Sequence, residues 1–585
     1  MSSLHNCGTV FVNISNDCSV VFGEETMVTF SEMKYERPDY DRAIADFKDL
    51  IARFKSASSG EEQFKIHQEY YTFTEHLATM QTLAHIRHDI DTTDEFYDAE
   101  QSFFDENSPL LSPYFDEYNH ALYESKFRPF LEEKIGPVAF KNIELAIRSF
   151  TPEMVPLQQE ENALVTRYGK LIAGAQIEWE GEILNLSLMT KHCNSLDRDT
   201  RIRAWNKTTG FLWENRAELD EIYDRLVKNR TAQARLLGYD TYTRLGYDRM
   251  GRNDYGPEEV AAFREEVKKK IVPLATKLHE RRRQRIGVDH LYFYDPISFA
   301  NGDPEPKGTP EEILAEGQKM YSELSPETKE FFDFMSDYGL FDVLGRKTKR
   351  SGGYMTTLPD YKAPFVFANF NGTSHDVEVI THECGHAFQG YTVRDAQIRE
   401  HQNITMETAE IHSMAMEFFT EPWYDRFFGD RAEDYTLMHL EGAITFIPYG
   451  CMVDEFQHIV YEHPDMTPNE RREAWLKLEK VYRPHMDYGD NAFYCSGGLW
   501  QRQQHIFMAP FYYIDYCLAQ TVALEYKAWM DRDYKEAWTS YLDLCRRSAN
   551  DFYSNMIPAV GLKLPFEAGC LDETVAALEE QLGLN

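Results

Sequence analysis

Two histidines four residues apart, with a glutamate between them, are the side chains in this sequence best placed to break a covalent bond. They lie in Thr381-His382-Glu383-Cys384-Gly385-His386-Ala387-Phe388-Gln389. On a helix, positions i and i+4 share a face, so His382 and His386 present two imidazoles one turn apart. Such a pair can hold a zinc ion, and Glu383 stands beside it, close enough to act on a water there. Cys384 sits two positions from His382, points off that face and reads as packing, not as a ligand. The motif is short enough to arise by chance, so its setting has to carry the reading.

Upstream, residues 364–370 form an apolar run with strand character, broken by Asn371-Gly372. This run reads as an edge strand able to pair with a peptide backbone, with an ordinary sheet strand as the rival reading. Thr373, with Asp376 three residues on, predicts a capping-box start to a helix that carries the histidines and ends near Gly390. A strand leading into a helix with this motif is the arrangement of a zincin active site.

Catalytic zinc takes three protein ligands and keeps a fourth position open. A thermolysin-like spacing needs Glu at position 406, which is Met406, and the related aminopeptidase spacing needs it at 405, which is Thr405. The metzincin extension needs Gly and His where the chain has Gln389 and Thr392. An acidic helix does follow, over residues 406–419. In it Glu410 and Glu417 lie two turns apart on one face, which suits one carboxylate on the ion and one hydrogen-bonded to a ligand. Glu407, one turn before Glu410, competes for the first place.

Taken together these residues resemble a known family. His382-Glu383-Cys384-Gly385-His386, followed by Glu410-Ile411-His412-Ser413-Met414-Ala415-Met416-Glu417, resembles the oligoendopeptidase F and thimet oligopeptidase family of zinc metallopeptidases. The oligoendopeptidase F branch is nearer. Gly352-Gly353-Tyr354 and residues 365–372 resemble its glycines and aromatics before the motif, and residues 505–516 its late histidine-and-tyrosine segment. The resemblance runs from about residue 30 to the C-terminus. It implies one Zn2+ per chain held by His382, His386 and Glu410, with Glu410 preferred over Glu407 and Glu417 behind the ligands. It implies Glu383 as general base. It also implies His505 and one or two tyrosines, Tyr512 ahead of Tyr516, as donors to a substrate carbonyl or oxyanion. Spacing departs here from the thimet branch, so either tyrosine fits, and plain packing competes for each. The implied fold is a mainly α, multi-helix zincin-type metallopeptidase. A small β-sheet lies by its active site, and a deep channel admits oligopeptides and excludes folded proteins.

Composition agrees with that reading. With 585 residues and 43 % hydrophobic content the chain can bury a large core. A net charge of −36 argues against a nucleic-acid partner, and its simplest role is solubility. Nine cysteines with no Cys-x-x-Cys pair read as free thiols in a reducing compartment, hence a cytoplasmic protein. No run approaches the ~20 apolar residues of a membrane span, and the start lacks a secretory signal pattern.

Residues 1–26 read as a non-essential N-terminal extension, 27–200 as an N-terminal helical domain and 201–585 as the catalytic domain. Breaks fall at Ser58-Ser59-Gly60, Ser108-Pro109 and Thr151-Pro152, and Glu180-Gly181 reads as a hairpin turn. Thr309-Pro310-Glu311-Glu312 and Thr467-Pro468-Asn469-Glu470 predict capped helix starts. Cys495-Ser496-Gly497-Gly498 reads first as an ordinary turn, as glycine pairs usually are, with a flexible loop over the cleft as the rival reading. His67 and His85 read as packed histidines. The predicted activity is a zinc endopeptidase acting on oligopeptides. A peptidyl-dipeptidase and a catalytically silent peptide-binding protein are the alternatives.

Overall fold

Capping residues set the helix starts. Thr309 and Thr467 each accept from the backbone three residues on and receive a reciprocal glutamate, opening helices Pro310–Leu324 and Pro468–Tyr482. Ser59 and Asp197 cap Gly60–Ile90 and the 39-residue helix Arg198–Leu236 with a side-chain oxygen that accepts from the backbone N–H three residues on, without the reciprocal glutamate. The computed structural model describes residues 27–350 and 352–584, so the expected extension at 1–26 lies outside the described residues. The architecture is mainly α, as expected, with two small sheets. One hydrophobic cluster joins residues from Met33 to Leu582, so the N-terminal helices and the later ones share a core. Among the described residues no helix is long and apolar enough to cross a membrane.

A hairpin of β1 (Ile177–Trp179) and β2 (Glu182–Leu184) turns at Glu180 and Gly181, both at positive φ. Elsewhere β3 (Phe341–Leu344), β4 (Tyr354–Leu358) and β5 (Ala363–Phe370) form a three-stranded sheet in the order β3-β5-β4. The apolar run at 364–370 is therefore the central strand, parallel to β3 and antiparallel to β4, not an edge. Its ladder is occupied on both sides, so it has no free edge for a peptide. The run lacks polar alternation because both of its faces are buried, which is the pattern of an interior strand.

The motif helix, His375–Val393, follows β5 through a turn at Gly372 (φ +86°). The predicted Thr373–Asp376 box does not form. Asn371 takes Thr373 through its side-chain oxygen, and the Asp376 carboxylate instead accepts from the backbone N–H groups of Asn371 at 2.9 Å and Gly372 at 2.7 Å. Asp376 thus ties the helix to the end of the strand. The helix also runs past Gly390, which keeps helical geometry and does not end it.

The Cys495–Gly498 segment is packed, not a loop over a cleft. A Cβ on Gly497 would lie 2.4 Å from the Arg472 carbonyl oxygen, and one on Gly498 2.7 Å from the Phe493 ring. His67 is buried between Tyr118 and Glu400, bonded to each at 2.8 and 2.9 Å, as a packed histidine should be. His85 hydrogen-bonds Gln101 at 3.1 Å.

Candidate active site

The motif helix crosses the next long helix, Met406–Phe419, at Gly385. A Cβ there would lie 2.6 Å from the His412 carbonyl oxygen and 2.6 Å from Ser413 Cα. Only glycine allows the two backbones this close, and the closeness carries Glu410 to the histidines. One donor atom from each of His382, His386 and Glu410 falls within a 4.8 Å cluster. Glu410 Oε2 lies 3.4 Å from His382 Nε2 and 3.7 Å from His386 Nε2. With zinc–ligand bonds of 2.0–2.2 Å, the edges of a tetrahedron are about 3.4 Å, so this donor set fits zinc in both chemistry and size.

The groups around the three donors fix their orientation. His382 Nδ1 is 2.7 Å from Glu417 Oε1, leaving Nε2 for the cluster. The other oxygen of Glu417 lies 2.6 Å from His439 Nε2, on helix Ala432–Glu462. Burial opposes the charge on Glu417, but these two hydrogen bonds outweigh it and hold the carboxyl down at about 2. The Tyr512 hydroxyl donates to Glu410 Oε1 at 2.9 Å, so both Glu410 oxygens are committed.

Glu383 sits next to His382, partly exposed, with no hydrogen bond to another described residue. Burial, reinforced by Glu410, pushes its carboxyl above the ordinary range, while His382 opposes the shift. A free, somewhat basic carboxylate beside the donor cluster is what a proton acceptor requires. Glu407 lies outside the cluster. It is fully buried, its two oxygens have no partner, and burial together with Asp515 pushes it up to about 8. Cys384 is buried against Tyr321, away from the donor atoms.

The late segment is divided. Helix Tyr513–Arg547 begins one residue after Tyr512, so Tyr512 and Tyr516 do not share a helical turn, although their rings are 4.9 Å apart. Phe511, at φ +67° in the preceding turn, aims Tyr512 at Glu410. His505, Tyr513 and Tyr516 instead line a cavity of about 600 Å3 together with Glu378, Glu417 and His439. His505 lies 4.9 Å from the Tyr513 ring and 6.0 Å from the Tyr516 ring. Sequence reasoning missed His439. His439 carries no local signal, because only the packing of separate helices brings it to Glu417.

Comparison with known proteins decides the family. Residues 30–150 match the peptidase M3 N-terminal domain and residues 191–543 match peptidase family M3. The chain belongs to peptidase family M3. It is 23 % identical over 548 residues to oligopeptidase PepF of Bacillus subtilis, covering 87 % of this chain and 79 % of that one. Among solved structures it is similar to PZ peptidase A with an inhibitor. The identity there is 46 %, with 95 % of this chain and 99 % of that one covered and a TM-score of 0.89. Oligoendopeptidase-F from Enterococcus faecium shares the fold at a TM-score of 0.61 and 15 % identity, over 93 % of this chain and 98 % of that one. This chain is thus an M3 peptidase, and its candidate site lies within the matched region 191–543.

Proposed function

We propose that this M3 peptidase is a zinc endopeptidase that hydrolyses internal bonds of short oligopeptides. The observation that carries the reading is the convergence of one atom each from His382, His386 and Glu410 within 4.8 Å, with Glu383 beside them. Zinc held by these three residues supplies positive charge that lowers the pKa of a water molecule and polarises a peptide carbonyl. The protein's own groups do the rest. Glu383 accepts the water's proton and returns it to the departing amine. Tyr516 and His505, which face the cavity, donate to the oxyanion as it forms. Tyr512 holds Glu410 in place and Glu417 holds His382. We assign residues 27–200 to an N-terminal helical domain and 201–585 to the catalytic domain, the boundary falling at the start of helix Arg198–Leu236. Among the described residues the seven cysteines are not joined in disulfides, which supports a reducing, cytoplasmic setting.

An internally quenched oligopeptide blocked at both ends tests this reading. The zinc-loaded enzyme is expected to cut it internally, to lose that activity with a chelator and to regain it with zinc. Dipeptide release only from a peptide with a free C-terminus would replace the endopeptidase with a peptidyl-dipeptidase. No cleavage of either peptide, with zinc bound, would leave a binding protein.

A further inference from the structure

A second cavity, of about 350 Å3, is lined by Trp205, Tyr449, Arg483, Tyr494, Arg502 and Gln503 among other residues. Two contacts link its lining to that of the first. Gln503 Nε2 lies 2.7 Å from His505 Nδ1, and Gln503 Oε1 accepts from the Tyr449 hydroxyl at 2.9 Å. The Tyr449 ring in turn meets the Tyr513 ring, with centroids 6.0 Å apart. His505 and Tyr513 face the cavity at the candidate active site.

Arg502 is the unusual group in this second cavity. Its guanidinium donates to the Tyr494 hydroxyl at 3.2 Å and lies 5.1 Å over the Trp205 ring, and among the described residues it has no carboxylate partner. It is exposed through the cavity; burial opposes its charge, but Tyr494 and Tyr449 outweigh that and hold it above the ordinary range. An exposed guanidinium with no carboxylate partner among the described residues is available to an anion, and the planar fork of arginine matches a carboxylate. Nearby groups do not neutralise it. Arg483 approaches Glu479 at 3.4 Å, but that same oxygen also accepts from Tyr488. Arg282 is enclosed with no ion pair and its Nε has no partner. The rings of His279 and His485, with centroids 4.5 Å apart and tilted by 38°, are kept neutral by burial and by these arginines.

We propose that Arg502 anchors a carboxylate of the oligopeptide. The C-terminal carboxylate, or an acidic side chain near it, enters the second cavity and pairs with the guanidinium while the bond to be cut lies at the His382–Glu383–His386 site. The proposal rests on the peptidase reading above and adds a specificity rule to it. An extended chain spans about 3.3–3.6 Å per residue, so a fixed anchor selects a bond at a fixed number of residues from the carboxylate.

Three internally quenched peptides test it: a free C-terminal acid, the C-terminal amide of the same sequence, and that amide with its last residue replaced by Asp. Each is given to the zinc-loaded wild type, Arg502→Met and Arg502→Lys, with kcat/KM and the cleaved bond as readouts. Wild type is expected to prefer the acid to the plain amide about tenfold, equivalent to ~1.4 kcal/mol. In Arg502→Met this ratio falls close to one, and in Arg502→Lys part of it survives. Recovery with the Asp amide would identify a side-chain carboxylate as the ligand, and no recovery would identify the chain terminus. A folding defect lowers all three peptides alike and leaves the ratio unmoved. Equal cleavage of all three by wild type, or an acid-to-amide ratio that persists in Arg502→Met, would overturn the anchor. Failure of wild type to cut any of them would remove the peptidase reading and the anchor with it.

Discussion

Removing the Glu417 carboxylate should loosen the metal without touching any donor atom. Glu417 bridges His382 Nδ1 at 2.7 Å and His439 Nε2 at 2.6 Å, so it fixes both the tautomer and the ring angle of His382. With Nε2 facing the donor cluster, Nδ1 must carry a proton, and that proton needs an acceptor. In Glu417→Gln the amide oxygen can still accept from His382, but the charge is gone and the amide N–H2 now meets His439. In Glu417→Ala both imidazoles lose their partner in a buried place, at about 1–3 kcal/mol for each orphaned group. Outer partners of metal-bound histidines typically contribute 10–100-fold in affinity, or about 1.4–2.7 kcal/mol. Glu417→Gln should therefore weaken zinc binding about tenfold and Glu417→Ala about a hundredfold. The assay is competition for zinc against a chromophoric chelator, with circular dichroism to confirm the fold. Zinc affinity within twofold of wild type in both variants would refute the reasoning, because His382 would then need no partner.

Three further outcomes follow from the same geometry. Gly385→Ala sets a methyl 2.6 Å from the backbone of His412 and Ser413, so it should force the two helices apart. It should lower both Tm and zinc affinity, with a stability loss on the order of 1–3 kcal/mol; an unchanged zinc affinity would show that Glu410 does not depend on this crossing. Glu407, raised to about 8 by burial, keeps its proton in the folded state at pH values where the unfolded chain has lost it. It therefore favours folding at or below the ordinary carboxyl range, near 4.5, and that advantage disappears as pH climbs to about 8. Glu407→Gln should match wild type in Tm at pH 5 and exceed it increasingly towards pH 8.5; a pH-independent difference would contradict this. Tyr516→Phe, measured at saturating zinc, should lower kcat about a hundredfold with little change in KM, as removal of an oxyanion donor does. A change confined to KM would make Tyr516 a substrate-binding group only.

Much of the fold was legible where the signal is local. The boxes at Thr309 and Thr467 and the turn at Glu180-Gly181 formed as their residue types require. The two histidines and Glu410 were also readable, because helical periodicity and a family resemblance both pointed to them. Misreadings occurred where neighbours decide. The strand at 364–370 was read as a possible edge, yet its unalternating apolar run already carried the mark of burial on two faces. Thr373 and Asp376 have the types of a capping box, but the side chain of Asn371 captures Thr373 first. Tyr512 stands outside the helix that carries Tyr516, which begins at Tyr513, and it follows a positive φ at Phe511. Phe511 packs against Gly246, on a helix more than 250 residues earlier, where a Cβ would lie 2.6 Å from its ring. His439 and Arg502 were out of reach for the same reason: each gains its meaning from a partner, or from the lack of one, that only tertiary packing reveals.

The most direct measurement compares wild type with Glu383→Gln, both loaded with zinc and assayed on the doubly blocked peptide, with bound zinc counted in each. Glu383→Gln should keep one zinc per chain and the wild-type Tm while kcat falls by about 10²–10⁴-fold, the range of a lost general base. A variant that retains both zinc and near-wild-type turnover would contradict the account, because the proton would then be taken by another group.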